Sequence, residues 1–188
     1  MATESERVIL TYDDLVELPN DRNRYELFEG DLQVTAAPNL SHQTAVTNLM
    51  VILGNQVRSG RLGWVFTAPF DVLLSDISVV EPDLLFVSRA RRGILVPRHV
   101  RGAPDLVVEV LSPSTAQVDR GVKRQLYARY GVANYWRVDP DRWEFLAEAL
   151  ADGVYRQVAI ARESQTITAP PFPDLVIPLA QVWGWDQE

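Results

Sequence analysis

Apolar residues recur at two spacings in the first third of the chain, and the change between them marks the predicted elements. The stretch TYDDLVELP is typical of a short helix from Thr11 to Pro19, because a hydroxyl residue can cap its start and a proline lies at its end. RYELFEGDLQVTA then alternates around a Glu-Gly-Asp turn, which predicts a hairpin. From Ser41 to about Arg58, helical spacing predicts a long helix with the apolar stripe Ala45, Val46, Leu49, Met50, Leu53 and Val57.

Strand patterns dominate from position 63 onward. GWVFT, FDVLLS and VVEPDLLFVS predict three successive strands, and APDLVVEVLSPST predicts another. A second long helix follows, capped by Ser114 or Thr115 and ended by Gly131, with the core stripe Val118, Val122, Leu126 and Tyr130. NYWRVD predicts a strand and RWEFLAEALADGVYRQVAI a hairpin that turns at Asp152 and Gly153. The Pro-rich tail PPFPDLVIPLAQVWGW is expected to cover part of the core.

This order of elements predicts a mixed sheet flanked by helices, an α/β or α+β domain. At 188 residues, of which 47% are hydrophobic, the chain is long enough for one domain with a real core. We expect a single domain over residues 1–188. It would comprise a helix and hairpin at 11–36, a core at about 41–139, and a C-terminal hairpin and tail at 142–188.

Composition and charge narrow the possible chemistry. The chain has no cysteine, so disulfides, zinc thiolate sites and cysteine nucleophiles are excluded. Its first ten residues lack a signal-peptide pattern, and no apolar run approaches the roughly 20 residues of a membrane helix, so we expect a cytoplasmic protein. The net charge of −7 argues mildly against strong nonspecific binding of nucleic acid. Five arginines are candidate phosphate contacts or an ordinary solvated loop: Arg89, Arg91, Arg92, Arg98 and Arg101.

A carboxylate interrupts the apolar run from Leu106 to Leu111. Strand residues of one parity share a face, so Glu109 lies beside Val107 and Leu111, and both faces are otherwise apolar. An ionised carboxylate taken out of water costs several kcal/mol unless it is paired or coordinated. Glu109 therefore requires a proton, a cationic partner such as a buried arginine or lysine, or a metal ion.

A second carboxylate, Asp83, opens the apolar run of EPDLLFV in the preceding strand pattern. If the two strands are neighbours in the sheet, about 4.8 Å apart, both side chains can bind one hard cation. Oxygen ligands without cysteine favour Mg²⁺ or Mn²⁺ over zinc. The alternative for Asp83 is an ordinary strand-entry turn after Pro82.

Three other polar residues could join this pair. One face of the second long helix carries Asp119, Lys123 and Tyr127. The Lys123 ammonium can therefore reach the pocket and stabilise developing negative charge. The alternative for Lys123 is a surface ion pair with Asp119. His42 opens the first long helix and can face inward, or it can be an ordinary cap or packing residue. Glu26, in the first hairpin strand, is a candidate third carboxylate on the metal or an exposed hairpin position.

Over most of its length the chain resembles the Uma family of predicted bacterial endonucleases, and the resemblance is carried by YELFEG, SHQ, EPDLLFV, PDLVVEVLSPST and DRGVKRQLYARYGVANYWRVDP. It implies a restriction-endonuclease-like core of the PD-(D/E)XK superfamily, with Asp83 and Glu109 as the two acids. The residue two after Glu109 is Leu111 rather than the lysine of that motif. Superfamily variants carry the lysine on the following helix, where Lys123 stands, four residues before Tyr127 as in their Gln-x-x-x-Tyr motif.

The resemblance implies a divalent-metal-dependent endonuclease that acts on DNA. The implied site comprises Asp83, Glu109 and the carbonyl of Val110 on Mg²⁺ or Mn²⁺, Lys123 against developing charge, and Glu26 and His42 at the edge as further ligand or proton carrier. Two alternatives remain open: a catalytically inactive nuclease fold that serves as a binding or assembly module, and a metal-dependent hydrolase of small phosphorylated molecules. Trp183 and Trp185 could line a homodimer interface or cover the core.

Overall fold

The computed structural model describes residues 8–19, 21, 23–35, 37–112 and 119–184. Its helices are α1 (Tyr12–Val16), α2 (Leu40–Ser59), α3 (Arg124–Tyr130) and α4 (Leu179–Trp183), with a 3₁₀ segment at Arg89–Ile94 and a π-helical turn at Asp119–Lys123. Its strands are β1 (Arg24–Phe28), β2 (Asp31–Thr35), β3 (Gly63–Thr67), β4 (Asp71–Ser75), β5 (Ser78–Val80), β6 (Leu84–Ser88), β7 (His99–Arg101), β8 (Leu106–Val110), β9 (Asn134–Asp139), β10 (Glu144–Ala151), β11 (Val154–Arg162), β12 (Thr166–Ala169) and β13 (Phe172–Pro178). Within these ranges, no helix combines the length and the apolar character needed to cross a membrane.

The strands in the described part of the chain form three sheets. A six-stranded sheet has the order β11-β10-β9-β8-β6-β3, with β8 and β9 parallel and the other neighbours antiparallel. A five-stranded sheet has the order β2-β1-β5-β4-β7, with only β4 and β7 parallel, and β12 and β13 form a separate ribbon. The predicted mixed α/β fold is confirmed, but its strands divide between two larger sheets where the sequence predicted one.

The six-stranded sheet has an apolar core on each face. Leu106, Val108 and Val110 of β8 face a cluster with α2 and the C-terminal tail, whereas Val107 faces a cluster with β4 and α3. The predicted parity of this strand is therefore confirmed. The first cluster also contains most of the predicted stripe of α2 and the tail residues that were expected to cover the core: Ala45, Leu49, Leu53, Val57, Phe172, Ile177, Leu179 and Val182.

The sequence predicted one strand in VVEPDLLFVS, but the structure has two. The stretch holds the last two residues of β5, which belongs to the five-stranded sheet, and all of β6, which belongs to the six-stranded sheet. Pro82 lies between them and has no amide hydrogen for a ladder bond, so the chain leaves one sheet there and enters the other. Asp83 consequently stands at the junction of the two sheets, immediately before β6.

The second long helix is wound differently from the prediction in its described part. The predicted caps and Val118 lie outside the described residues, and the described part begins with the π-helical turn. Such a turn inserts an extra residue, so the apolar stripe shifts and Val122 is 51% exposed rather than in the core. Lys123 takes the inward position instead. Leu126 is buried as predicted, and Gly131 (φ 81°) ends the helix.

Two short turns close the predicted hairpins. Glu29 (φ 53°) and Gly30 (φ 85°) link β1 to β2, and Asp152 (φ 53°) and Gly153 (φ 76°) link β10 to β11. Positive φ at both central residues matches the twist of the flanking strands. The first predicted helix is also present, shortened to α1, with Thr11 at its N-cap. The first hairpin then sets the positions of the side chains of β1 that face the site.

Candidate active site

The antiparallel pair of β6 and β8 places the two predicted acids side by side. Leu84 pairs with Val108, and continuing this register by one residue sets Asp83 opposite Glu109. The backbone amide of Val110 donates a hydrogen bond of 2.8 Å to Oδ2 of Asp83. The predicted neighbour relation of the two strands is therefore confirmed.

Three donors hold the carboxylate of Asp83. Nη2 of Arg24 donates to Oδ1 (2.9 Å), and Nε2 of His42 lies 3.1 Å from Oδ2, which also accepts the Val110 amide. Burial alone raises the pKa of this carboxyl, but the bond to His42 and the charge of Arg24 outweigh burial and lower the pKa to about 2. Asp83 is thus ionised at neutral pH and fixed in orientation.

The carboxylate of Glu109, which is 1% exposed, bonds to two donors from the following helical segment. Nζ of Lys123 (3.1 Å) and the hydroxyl of Tyr127 (2.6 Å) both donate to Oε1. Burial and then the charge of Glu109 raise the pKa of Tyr127 well above its usual value, so the hydroxyl keeps its proton. The Lys123 ammonium also lies 2.9 Å from Oε1 of Glu26, which accepts the backbone amide of Glu81.

All the side chains predicted as catalytic line one cleft of about 780 Å³: Glu26, His42, Asp83, Glu109 and Lys123. Their catalytic roles stay predictions. Two alternatives are wrong, because Glu26 is buried rather than an exposed hairpin position, and Lys123 is buried rather than in a surface ion pair. The side chain of Asp119 lies outside the described residues. The alternative for Glu109, a buried ion pair, is present in the structure.

The donor chemistry of the cleft floor fits a hard divalent cation. Carboxylate oxygens of Glu26, Asp83 and Glu109 face the same cleft, and such oxygens are the ligands that Mg²⁺ and Mn²⁺ prefer. In the described ranges, however, no three His, Asp or Glu side chains are already arranged to hold a metal. Their oxygens bond to Arg24, Lys123 and backbone amides, so a cation has to compete with these donors.

A second acidic pair lines the cleft beside Asp83. Val72 of β4 pairs with Val80 of β5, so Asp71 lies opposite Glu81 one residue further. Burial and then the charge of Asp71 raise the pKa of Glu81 to about 7, and burial also raises the pKa of Asp71. The two carboxyl groups hydrogen-bond to each other, so the pair holds a proton close to neutral pH.

Sequence reasoning missed Arg24 and the pair of Asp71 and Glu81. Alternation in β1 puts Arg24 on the same face as Glu26, so the pattern that located Glu26 could also have located Arg24. No comparable signal exists for the acidic pair, because its members face each other only through the pairing of β4 with β5.

We expect Glu81→Gln to stabilise the protein at pH 8 by about 2 kcal/mol, a rise in melting temperature of roughly 4–8 °C. The folded pKa of Glu81 lies above its ordinary value, so stability falls as the pH rises from about 4.5 to about 7. Glutamine does not ionise and removes this loss. Thermal unfolding at pH 4.5 and pH 8 measures the effect, which should be small at the lower pH. Asp76→Asn, at an exposed turn of the same sheet, is the matched control.

The predicted arginine patch lies away from the cleft floor. Arg89, Arg91 and Arg92 follow the far end of β6, and the five residues of that strand span about 16 Å. Arg91 contacts Asp105 at 3.5 Å, and Arg98 and Arg101 are exposed. None of these five side chains lines the cleft.

Residues 12–180 match the sequence profile of a family named Uma2 and described as "Putative restriction endonuclease". The chain belongs to the Uma2 family. The match covers most of the chain and confirms the resemblance found in the motifs. No curated protein sequence matches the chain significantly.

A solved structure shares the fold of this Uma2 protein. It is described as a "putative nuclease belonging to DUF820 from Anabaena variabilis ATCC 29413". The superposition has a TM-score of 0.77 at 19% sequence identity and covers 94% of this chain and 98% of the other. At this identity the likeness shows the fold, and the chemistry of the Uma2 cleft has to be argued from its own residues.

Proposed function

We propose that this Uma2 protein is an endonuclease that hydrolyses phosphodiester bonds in DNA with the help of Mg²⁺ or Mn²⁺. The proposal is carried by the position of Asp83 and Glu109 on adjacent strands at the floor of one cleft, with the Lys123 ammonium 3.1 Å from Glu109. Metal-assisted hydrolysis of a phosphodiester requires carboxylates that bind a divalent cation and a positive charge near the phosphate. The paired carboxylates and the fixed Lys123 ammonium supply these two features.

Asp83, Glu109 and the carbonyl of Val110 are the groups that would hold the cation. When bound, the cation polarises the scissile phosphate and lowers the pKa of a water molecule. Lys123 stabilises the negative charge that develops on the phosphate. In the described structure Val110 contributes its amide, which fixes Asp83.

Glu26 and His42 position these groups. Glu26 fixes the Lys123 ammonium through its 2.9 Å contact. His42 orients Asp83 through Nε2, and its Nδ1 is buried without a hydrogen-bond partner among the described residues. With Nε2 bonded to Asp83, Nδ1 is the ring nitrogen left to exchange a proton with the reacting groups.

Incubation with labelled single-stranded DNA, the matching duplex and RNA tests the proposal. We expect Mn²⁺-dependent internal cleavage of DNA by the wild-type protein, and none in EDTA or with Asp83→Asn. Cleavage of free nucleotides alone would support a hydrolase of small phosphorylated molecules. Equal cleavage by wild type and Asp83→Asn would contradict the proposal.

A binding or assembly module is the second candidate. Two observations favour it: Leu111 stands where the superfamily motif has lysine, and the carboxylates already bond to Arg24 and Lys123. A module of this kind would show no cleavage and no rise in melting temperature with any divalent cation.

For the predicted homodimer, Trp183 packs against the core of its own chain, and Trp185 lies outside the described residues.

A further inference from the structure

Arg24 is a cation of the cleft to which the proposed mechanism gives no task. It begins β1, and its guanidinium donates through Nη2 to Oδ1 of Asp83 (2.9 Å) and through Nη1 to the carbonyl of Glu81 (3.1 Å). Its Nε lies 3.8 Å from a carboxylate oxygen of Glu81. These contacts tie the first hairpin to the junction of the two sheets, where the first acid of the site stands.

Exposure distinguishes Arg24 from the other cation of the cleft. The side chain of Arg24 is 21% exposed and lines the cleft, whereas that of Lys123 is 4% exposed between Glu26 and Glu109. Arg24 can therefore turn from Asp83 into the cleft and keep its charge hydrated. Lys123 cannot do so without leaving two buried carboxylates behind.

A divalent cation at Asp83 would favour such a turn. The guanidinium of Arg24 already bonds to the carboxylate that the cation would bind, so the two positive charges repel each other at short range. A guanidinium that has left Asp83 presents a planar fork of donors, which fits two oxygens of one phosphate. The negative charge nearest to it would then belong to the substrate.

We infer that Arg24 neutralises Asp83 in the cation-free protein and moves to a phosphate of the nucleic acid when a divalent cation binds. The inference rests on the proposed function. It gives Arg24 two tasks that a mutation affects in opposite directions. Loss of Arg24 should strengthen cation binding, because Arg24 competes with the cation for Asp83, and should weaken the binding of substrate.

Arg24→Gln tests both tasks in the full-length protein. Titration calorimetry with MnCl₂ alone should give a Kd at least about tenfold lower than wild type. A neighbouring arginine weakens the proton affinity of an Asp by about 1–3 powers of ten, and it opposes Mn²⁺ at the same carboxylate through the same repulsion. The KM for a single-stranded oligonucleotide should rise about tenfold, with a smaller change in kcat. Arg129→Gln is the matched control, since Arg129 pairs with the exposed Glu29 outside the cleft.

Arg24→Lys keeps the charge and removes the fork. It should bind Mn²⁺ as wild type does but still show the raised KM. Arg24→Lys therefore tests the inference even if Arg24→Gln does not fold. A wild-type KM in Arg24→Lys, or an unchanged Mn²⁺ affinity and KM in Arg24→Gln, overturns the inference while the proposed function stands. Failure of the wild-type protein to bind Mn²⁺ overturns both.

Discussion

Glu109→Gln is expected to reduce Mn²⁺-dependent cleavage of single-stranded DNA roughly a thousandfold. The substitution keeps the size of the side chain and its hydrogen bonds to Lys123 and Tyr127 but removes the negative charge that faces the cleft. Without that charge the proposed metal site loses one of its two carboxylate ligands and most of its expected affinity for a hard cation. Single-turnover cleavage rates at saturating Mn²⁺, measured below the melting temperature of the variant, give the size of the effect.

Glu148→Gln is the matched control for this result. Glu148 is also a buried glutamate that bonds to cations, Arg124 and Arg137, but it lies on β10 and does not line the cleft. Its variant should cleave within about threefold of wild type once both are folded. Mn²⁺ should raise the melting temperature of wild type and Glu148→Gln but not of Glu109→Gln. Equal losses in the two variants would point to general destabilisation and against a role of Glu109 in catalysis.

The position of Glu109 could be predicted because the information is local. Five residues of alternating parity define both faces of β8, and a single carboxylate among them identifies the strand that carries the site. From the residues alone, the meeting of Asp83 and Glu109 is conditional on their two strands being neighbours. The motif resemblance, confirmed by the match to the Uma2 family, supplied the expectation that the two strands are neighbours.

The division into two sheets could not be predicted from the same pattern. β5 and β6 are separated by three residues, and each has an apolar sequence typical of a buried strand. Which sheet each strand joins depends on its partners, β1 and β4 for the former and β3 and β8 for the latter. β4 precedes β5 by only two residues, but β1, β3 and β8 are distant in sequence from the strands that they pair with, so local spacing alone does not decide which sheet each strand joins.

The exposure of Val122 depends on an irregularity that regular helical spacing does not represent. A period of 3.6 residues predicts Val122 in the core, but the segment begins with a π-helical turn and Val122 is exposed. The regular spacing of Lys123 and Tyr127, in contrast, already placed Lys123 towards the pocket. Composition offered a different signal: Lys123 is the only lysine in a chain whose other basic residues are all arginine. The only lysine of a chain is a candidate for a site that requires a compact ammonium group.

Lys123→Met is expected to destabilise the fold by about 3–5 kcal/mol at pH 8, with a fall in melting temperature of roughly 10 °C or more. The ammonium lies 2.9 Å from Glu26 and 3.1 Å from Glu109, and both carboxylates are almost fully buried. Methionine fills a similar volume but leaves two negative charges in a medium that solvates them poorly. Thermal and urea unfolding at pH 8 measure the change, and Arg156→Met, which removes an exposed ion pair with Asp152, should cost at most about 0.5 kcal/mol.

The pH dependence and a double variant distinguish lost charge compensation from lost packing. Protonation of the carboxylates removes the uncompensated charge. The loss of folding stability in Lys123→Met should therefore become smaller as the pH is lowered from 8 towards 5. Glu26→Gln introduced into Lys123→Met should restore about half of the lost stability, because one of the two stranded charges disappears. A deficit that is independent of pH and unchanged by Glu26→Gln would mean that Lys123 contributes by packing. The ammonium would then not be needed to hold two carboxylates together. The proposal that Lys123 stabilises negative charge on a phosphate would lose its support.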